Sequence, residues 1–189
     1  MARTRDEDAA RRILEATRTL IAERGPAAAT ISEIASAAGV GRQTIYRWWP
    51  TRSALVIDAL IEMTDAEMPF EATGNTVKDL RRQMRSMVQA FGGPAGALIK
   101  ELLGAAQSDP HIAEAFRTRF FDHRRDQARA FLAAASEAEE YPFTGTRDTD
   151  ALIYGLYAPL WLALLIGHEP LTQKLADRAL DNVLPAGTR

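Results

Sequence analysis

Five side chains that suit contact with nucleic acid lie within six consecutive residues of this chain. They are Arg42, Gln43, Thr44, Tyr46 and Arg47. Arginine donates two hydrogen bonds to guanine O6 and N7, and glutamine pairs in the same way with adenine N6 and N7. Hydroxyl groups more often hold backbone phosphates. Two arginines alone would fit an ordinary solvated face, but the whole set indicates a helix that reads DNA.

A helix that enters the major groove must expose one face and pack the other against the protein. Ile45 and Trp49 lie four residues apart, so they share one face of a helix predicted over 42–48 and supply its packed side. Thr51 is placed to cap the next helix. The free N–H groups at the start of that helix can take a phosphate, with Arg52 beside them.

The segment before this helix carries the signals of another short helix and a tight turn. Thr30 and Glu33 have the T-x-x-E spacing of a capping box, which marks the start of a helix. Ile34 and Ala38 then face one way, and Gly39 stands where a left-handed residue ends a helix. Two short helices joined by a tight turn predict a helix-turn-helix module, and so DNA binding rather than catalysis.

The remaining periodic segments also predict helices, and no convincing strand pattern is present. The fold class is therefore all-α, with about nine helices. A three-helix helix-turn-helix DNA-binding domain at 1–50 is joined by helix 51–66 to a helical body at 68–189. A polar loop is predicted at 139–147. The helices predicted outside the module span 7–24, 51–66, 76–91, 95–107, 110–138, 148–167 and 171–184.

Composition narrows the possible functions. The chain has 189 residues, 47% of them hydrophobic, which is enough to bury a core, and it has no cysteine for thiol chemistry or a disulfide framework. Its three histidines lack the spacing of metal ligands, and no nucleophile or phosphate-loop motif is present. We therefore expect no enzyme activity, no catalytic residue, no metal site and no cofactor. Residues 1–60 are mildly basic and residues 61–189 are acidic, which fits a head that faces phosphates.

The longest apolar run, residues 151–166, is shorter than the roughly 20 residues that a membrane span needs. Because it is apolar nearly all round, it must be buried on several sides, and a second copy of the chain is a natural cover. A dimer also lets two recognition helices bind two half-sites. We expect a homodimer through helices 148–167 and 171–184, no membrane partner and, without a leader-like N-terminus, a cytoplasmic location.

The module follows the pattern T-x-x-x-I-A-x-x-A-G-V and then T-[LI]-Y-x-x-[FW]-x-x-[KR]-x-x-L. It is met by Thr30, Ile34, Ala35, Ala38, Gly39, Val40, Thr44, Ile45, Tyr46, Trp49, Arg52 and Leu55. With this pattern, the module resembles the N-terminal domain of the tetracycline-repressor (TetR) family of bacterial regulators over about residues 8–60. The chain departs from the family at Gly41, where a capping Ser or Thr is frequent, at Trp48-Trp49 in place of His-Phe, and at Arg52 in place of Lys.

The resemblance implies roles for nine DNA-binding residues. Two of them, Thr30 and Ser32, lie where the second helix approaches the DNA backbone, and Trp48 completes the set. The implied phosphate anchors are Thr44, Tyr46 and Arg52. The implied base readers are Arg42, Gln43 and Arg47.

The domain order of the family implies a body that binds a small molecule and dimerises. Six apolar side chains could line its cavity or be plain core. His123 or Arg124 could meet a polar ligand group, or Arg124 could belong to the solvated side of an amphipathic helix. The six candidates are Met63, Phe91, Leu102, Phe116, Phe120 and Trp161.

The leading hypothesis is a ligand-responsive repressor. It would bind a palindromic operator in double-stranded DNA as a dimer and be released by a largely apolar small-molecule effector. An activator, or an architectural DNA-binding protein without a small-molecule inducer, stays open as the alternative, because the sequence does not give the sign of regulation.

Overall fold

The structure is a computed structural model that describes residues 2–138 and 148–184, without the side chains of residues 2–6. Its described residues form helices and no strand. The α-helices are α1 (Ala2–Arg24), α2 (Ile31–Ala38), α3 (Arg42–Trp48), α4 (Arg52–Glu67), α5 (Thr76–Gly92), α6 (Pro94–Ala106), α7 (Pro110–Ala115), α8 (Asp122–Glu137), α9 (Thr149–Ile166) and α10 (Gln173–Val183). A short 3-10 helix, Pro26–Ala28, follows α1, and a π-helical turn, Phe116–Phe121, joins α7 to α8.

The all-α prediction is confirmed. Counting α7, the π turn and α8 as one long helix, the described residues form nine helices. The predicted loop at 139–147 lies outside the described residues.

Side-chain caps set several of the helix ends. The Thr30 hydroxyl accepts the Glu33 backbone N–H at 3.2 Å and donates to the Glu33 carboxylate at 2.7 Å, as the capping-box spacing predicts. Asn75 Oδ1 accepts the Lys78 N–H at 3.0 Å. Gly39 ends α2 with φ 64°, a left-handed conformation that costs a side chain energy. These local signals therefore placed the helix boundaries correctly.

The π turn has no counterpart in the sequence prediction, which ran one regular helix over 110–138. Phe116 and Phe120 on this turn are buried, with their ring centroids 5.1 Å apart, while Arg117 and Arg119 face solvent. A pattern analysis that assumes 3.6 residues per turn does not reveal such a widening. π turns inside longer helices frequently occur at functional sites.

The chain divides into two compact units. The first contains the described residues of 1–64 and 94–121, and the second those of 65–93 and 122–189. This division differs from the sequence-based boundary, which placed 94–121 in the body. The reason is packing: α6 contacts α1 and the 3-10 helix, and α7 and the π turn contact α6.

The second unit is built around α5, α9 and α10, with α8 against α9. The buried Tyr157 hydroxyl donates to Gln83 Oε1 at 2.8 Å, which satisfies a polar pair inside the core. Arg85 of α5 holds Asp177 of α10 through two hydrogen bonds of 2.9 and 2.7 Å. Apolar packing and these polar links together tie α5 to the last two helices.

Helix α9 has two apolar faces, and the fold buries one of them. By length and composition this helix is apolar enough to cross a membrane, yet 39% of its residues are buried inside the fold. The outward face exposes Tyr154, Leu162, Leu165 and Ile166. The buried residues are Leu152, Ile153, Leu156, Tyr157, Leu160, Ala163 and Leu164.

Candidate nucleic-acid interface

Helices α2 and α3 form a helix-turn-helix whose inner side is apolar. Ile45 is fully buried and Trp49 is 5% exposed, so these two residues form the packed side of α3, as predicted. Ile34 and Ala38 of α2 are buried as well, and α3 packs on α1 and α2. The packing fixes which face of α3 turns outward.

The outward face of α3 gathers most of the side chains predicted to contact DNA. Tyr46 is 50% exposed and Trp48 42%, which is unusual for large apolar surfaces and fits a face that another molecule covers. Thr44 is half-buried on the same helix. Also exposed are Arg42, Gln43 and Arg47 of α3, with Thr30 and Ser32 at the start of α2.

The N-terminus of α3 has no side-chain cap. Gly41 occupies the cap position with φ −76°; its carbonyl accepts the Thr44 N–H at 2.9 Å, but it offers no side-chain oxygen to the other first N–H groups. Glycine in place of a capping Ser or Thr at position 41 therefore leaves the start of α3 without a side-chain cap. Helix α3, which is seven residues long, depends on the packing of Ile45 and Trp49 rather than on its own ends.

Arg52 is directed into the fold and not toward the exposed face. Its Nε donates to the Ala29 carbonyl at 2.9 Å, its Nη1 to Glu101 Oε1 at 2.8 Å, and its Nη2 to the Pro26 carbonyl. All three guanidinium nitrogens thus have an acceptor within the first unit. The role of phosphate anchor that the resemblance implies for Arg52 stays a prediction, and this geometry does not favour it.

A contact that the sequence analysis missed holds the end of α3. The indole Nε1–H of Trp49 donates to Asp58 Oδ2 of α4 at 2.7 Å, and Arg119 of the π turn donates to the other oxygen of the same carboxylate. Nothing in the sequence signals this arrangement, because Arg119 lies 61 positions from Asp58. The three residues form a chain of hydrogen bonds that ends at the recognition helix.

The six predicted effector-lining residues are distributed over both units. Phe116 and Phe120 pack together, as described above, and Phe91 packs edge-on against Trp161 at 5.0 Å. With Met63 and Leu102, five of the six are buried core and Trp161 is half-buried. A cleft of about 400 Å³ over α5 and one of about 340 Å³ beside α1 contain none of the six. The effector site stays a prediction.

Arg124 is mostly buried, which contradicts its placement on a solvated helix face. Its side chain is 12% exposed, and it donates to Asp65 Oδ1 at 3.0 Å and to the Met68 carbonyl at 2.7 Å. The guanidinium also lies over the Phe70 ring at 5.2 Å. A charge at this depth is tolerated because these partners replace its hydration.

The same cluster perturbs the carboxylate at its centre. Burial raises the pKa of Asp65, but hydrogen bonds from His123, Gln127 and Arg124 outweigh that effect and leave the pKa lowered. His123 Nε2 lies 2.9 Å from Asp65 Oδ2. Burial lowers the pKa of Arg124. The two polar residues considered for a ligand, His123 and Arg124, are thus both engaged with Asp65 within the second unit.

Both halves of the chain match sequence profiles of the same protein family. Residues 13–59 match the sequence profile of bacterial regulatory proteins of the tetR family, and residues 70–183 match the tetracyclin repressor-like C-terminal domain. The uncharacterized HTH-type transcriptional regulator YdeS of Bacillus subtilis (strain 168) is 35% identical, over 87% of this chain and 82% of YdeS.

Solved structures agree in fold. The crystal structure of the TetR family transcription regulator SCO0332 has a TM-score of 0.82 and 30% identity, covering 94% of this chain and all of that one. The structure of RolR in complex with resorcinol has a TM-score of 0.65 and 21% identity, over 95% of this chain and 89% of that one.

Proposed function

Because this chain belongs to the TetR family of helix-turn-helix transcriptional regulators, we propose that it is a repressor released from its operator by a small molecule. It binds a palindromic operator in double-stranded DNA as a homodimer, in the cytoplasm. The observation that carries the proposal is the outward face of α3, where Arg42, Gln43 and Arg47 stand exposed around the buried anchors Ile45 and Trp49.

In this proposal the arginines and Gln43 read base edges in the major groove, and Thr44 and Tyr46 hold phosphates on its walls. The helix is short enough to lie in one groove, and its exposed arginines supply the positive charge that the net charge of −2 does not. Ser32 of α2 approaches the DNA backbone beside it.

The outward face of α9 supports the homodimer. Tyr154, Leu162, Leu165 and Ile166 form an apolar surface that a single chain leaves in water. The small residue Ala158 lies on the exposed side of the same helix, where it permits close approach of a second helix. A twofold-related copy of α9 would cover this surface and place two copies of α3 on two half-sites.

Release by a largely apolar effector rests on kinship and on the aromatic content of the fold. RolR, which has the same fold, was solved with resorcinol bound. In this chain the candidate apolar contacts for an effector are Met63, Phe91, Leu102, Phe116, Phe120 and Trp161. Effector binding would lower operator affinity through a coupling of roughly 1–3 kcal/mol.

Fluorescence anisotropy with labelled duplexes tests the DNA-reading part. We expect the chain to bind a duplex from upstream of its own gene more tightly than a scrambled duplex of the same composition, at moderate salt. Arg42→Ala should relax base preference at one position of each half-site, by about 1–3 kcal/mol of discrimination. Arg11→Ala, an exposed charge on α1, is the matched control. Equal binding to both duplexes by the native chain would contradict the proposal.

A transcriptional reporter tests the sign of regulation. The upstream region, fused to a reporter gene, should be less active in cells that carry the chain than in cells that lack it. Higher activity in its presence would identify an activator instead.

A further inference from the structure

The buried indole of Trp49 makes the C-terminal end of α3 dependent on one carboxylate. Trp49 is 5% exposed, so its N–H has to be satisfied inside the protein, and Asp58 Oδ2 is the acceptor at 2.7 Å. Trp49 is also the residue that ends α3, with its backbone N–H bonded to the Ile45 carbonyl at 2.8 Å. The orientation of this ring therefore sets the position of the last turn of α3.

Asp58 does not fix that orientation by itself. An aspartate side chain rotates about two bonds, and its second oxygen is held by Arg119, which leaves the carboxylate one way to face. Arg119 lies on the π turn, between the buried Phe116 and Phe120 in sequence, so the direction in which it leaves the helix is set by the packing of that turn.

We propose that Arg119 is a positioning residue for DNA recognition, acting through Asp58 on Trp49. The inference rests on the proposed reading of DNA by α3. Arg119 holds the carboxylate, the carboxylate holds the indole, and the indole holds the end of the helix that carries Arg47 toward the groove. Because α3 has no side-chain cap at its N-terminus, its orientation depends on the packing of Ile45 and Trp49, and the relay acts on the second of these two residues.

A positioning role is separable from a structural one here. The Arg119 and Asp58 side chains are 42% and 24% exposed, and ion pairs with that much exposure contribute little to stability. A loss of operator affinity without a loss of thermal stability is therefore the signature of positioning. A direct phosphate contact by Arg119 has a different signature, since it would lower the slope of log affinity against log salt by about 1.

The test compares Arg119→Gln with Arg117→Gln in the full-length chain. Arg117 is an exposed cation on the same turn that faces Glu114, so its removal costs the same charge without touching Asp58. We expect Arg119→Gln to weaken operator binding about 5-fold with an unchanged salt slope. A loss of this size is typical of the coupling between residues in one hydrogen-bond network. Arg117→Gln should change it less than about 2-fold.

A double substitution checks the route. In Trp49→Phe the ring has no N–H, so Arg119→Gln added to it should weaken binding no further. Additive losses would overturn the relay, as would a native-like affinity for Arg119→Gln or a flattened salt slope. Since a native chain that does not discriminate its operator contradicts the proposed function itself, the two failures are distinguishable.

The indole N–H proton of Trp49 gives a readout that needs no DNA. In the nuclear magnetic resonance spectrum it should shift in Arg119→Gln and stay in place in Arg117→Gln, while the indole resonance of Trp161 stays in place in both. An unshifted Trp49 resonance in Arg119→Gln would overturn the proposal even if Trp49→Phe fails to fold.

Discussion

Arg52 Nη1 lies 2.8 Å from Glu101 Oε1, which ties the first residue of α4 to α6 inside the first unit. The same guanidinium donates to the carbonyls of Pro26, the first residue of the 3-10 helix, and Ala29, the residue that follows it. A side chain placed in this way holds three elements together behind the recognition helix. The resemblance to the family implies a phosphate contact for the same residue, and the two roles predict different measurements.

We expect Arg52→Ala to lower the free energy of unfolding by about 2 kcal/mol, because it removes hydrogen bonds from a charged donor to the half-buried Glu101 and the buried Ala29. The slope of log affinity against log salt should stay unchanged. Urea denaturation and salt-dependent anisotropy measure the two quantities. Arg47→Ala is the control, since this exposed base reader of α3 should lose base preference with little effect on stability. A slope reduced by about 1 in Arg52→Ala would restore the phosphate role.

The features that the sequence predicted are those written within a few residues of one another. The Thr30–Glu33 capping box, the left-handed Gly39 and the packed pair of Ile45 and Trp49 each depend on a spacing of four or less. Such spacings are read from helical geometry before any tertiary contact is known. The helix-turn-helix could therefore be predicted closely, together with the outward face of α3.

The features that escaped prediction depend on distant residues. Arg52 meets Glu101 across 49 positions and Arg119 meets Asp58 across 61. An arginine in an amphipathic pattern is assigned to solvent by default, and for Arg124 that assignment was wrong because Asp65 and the Met68 carbonyl lie within its reach. Periodicity gives the face of a helix but not the partner that a charged side chain finds there.

The outward face of α9 should hold two chains together. We expect Leu162→Glu to yield a monomer by sedimentation velocity, because a charge buried in an apolar interface is costly and Leu162 is 47% exposed in the single chain. Operator affinity should fall by roughly 100-fold or more with the loss of the second half-site. The circular dichroism spectrum should stay helical, since the substitution is on the surface of each protomer.

Ala134→Glu is the matched control for this interface. It places the same charge on an exposed position of α8. The mass of the particle in sedimentation velocity and the operator affinity should both stay unchanged. A Leu162→Glu chain that sediments like the native dimer would show that copies of the chain meet elsewhere.

The two glycines that flank the turn before α3 should respond in opposite directions to substitution. Gly39 has φ 64°, so Gly39→Ala should destabilise the fold by about 1 kcal/mol. Gly41 has an extended φ of −76° with open space around a built Cβ, and Gly41→Ser should add a few tenths of a kcal/mol by capping α3. Thermal unfolding of both variants measures the difference, and a Gly41→Ser chain less stable than the native one would contradict the cap argument.

Asp79 should make the second unit sensitive to acid. Its side chain is 2% exposed and accepts the Thr73 N–H at 2.7 Å and the Thr73 hydroxyl at 2.6 Å, with Arg82 at 3.2 Å. Burial raises the pKa of Asp79, but the Thr73 hydrogen bonds and the Arg82 charge outweigh it, so the folded pKa lies below the unfolded value of about 3.9. The unfolded chain therefore binds the proton more readily, and this stabilisation is present above pH 4 and lost as the pH falls through the folded pKa.

Urea denaturation from pH 7 to pH 2 measures this effect. Asp79→Asn should lower the free energy of unfolding at pH 7 by about 1.5–3 kcal/mol. It should also flatten the acid limb, which is the fall of that free energy between pH 4 and pH 2. Asp126→Asn, at an exposed carboxylate of α8, should leave that limb as steep as in the native chain, and an equally steep limb in Asp79→Asn would assign the acid sensitivity to other groups.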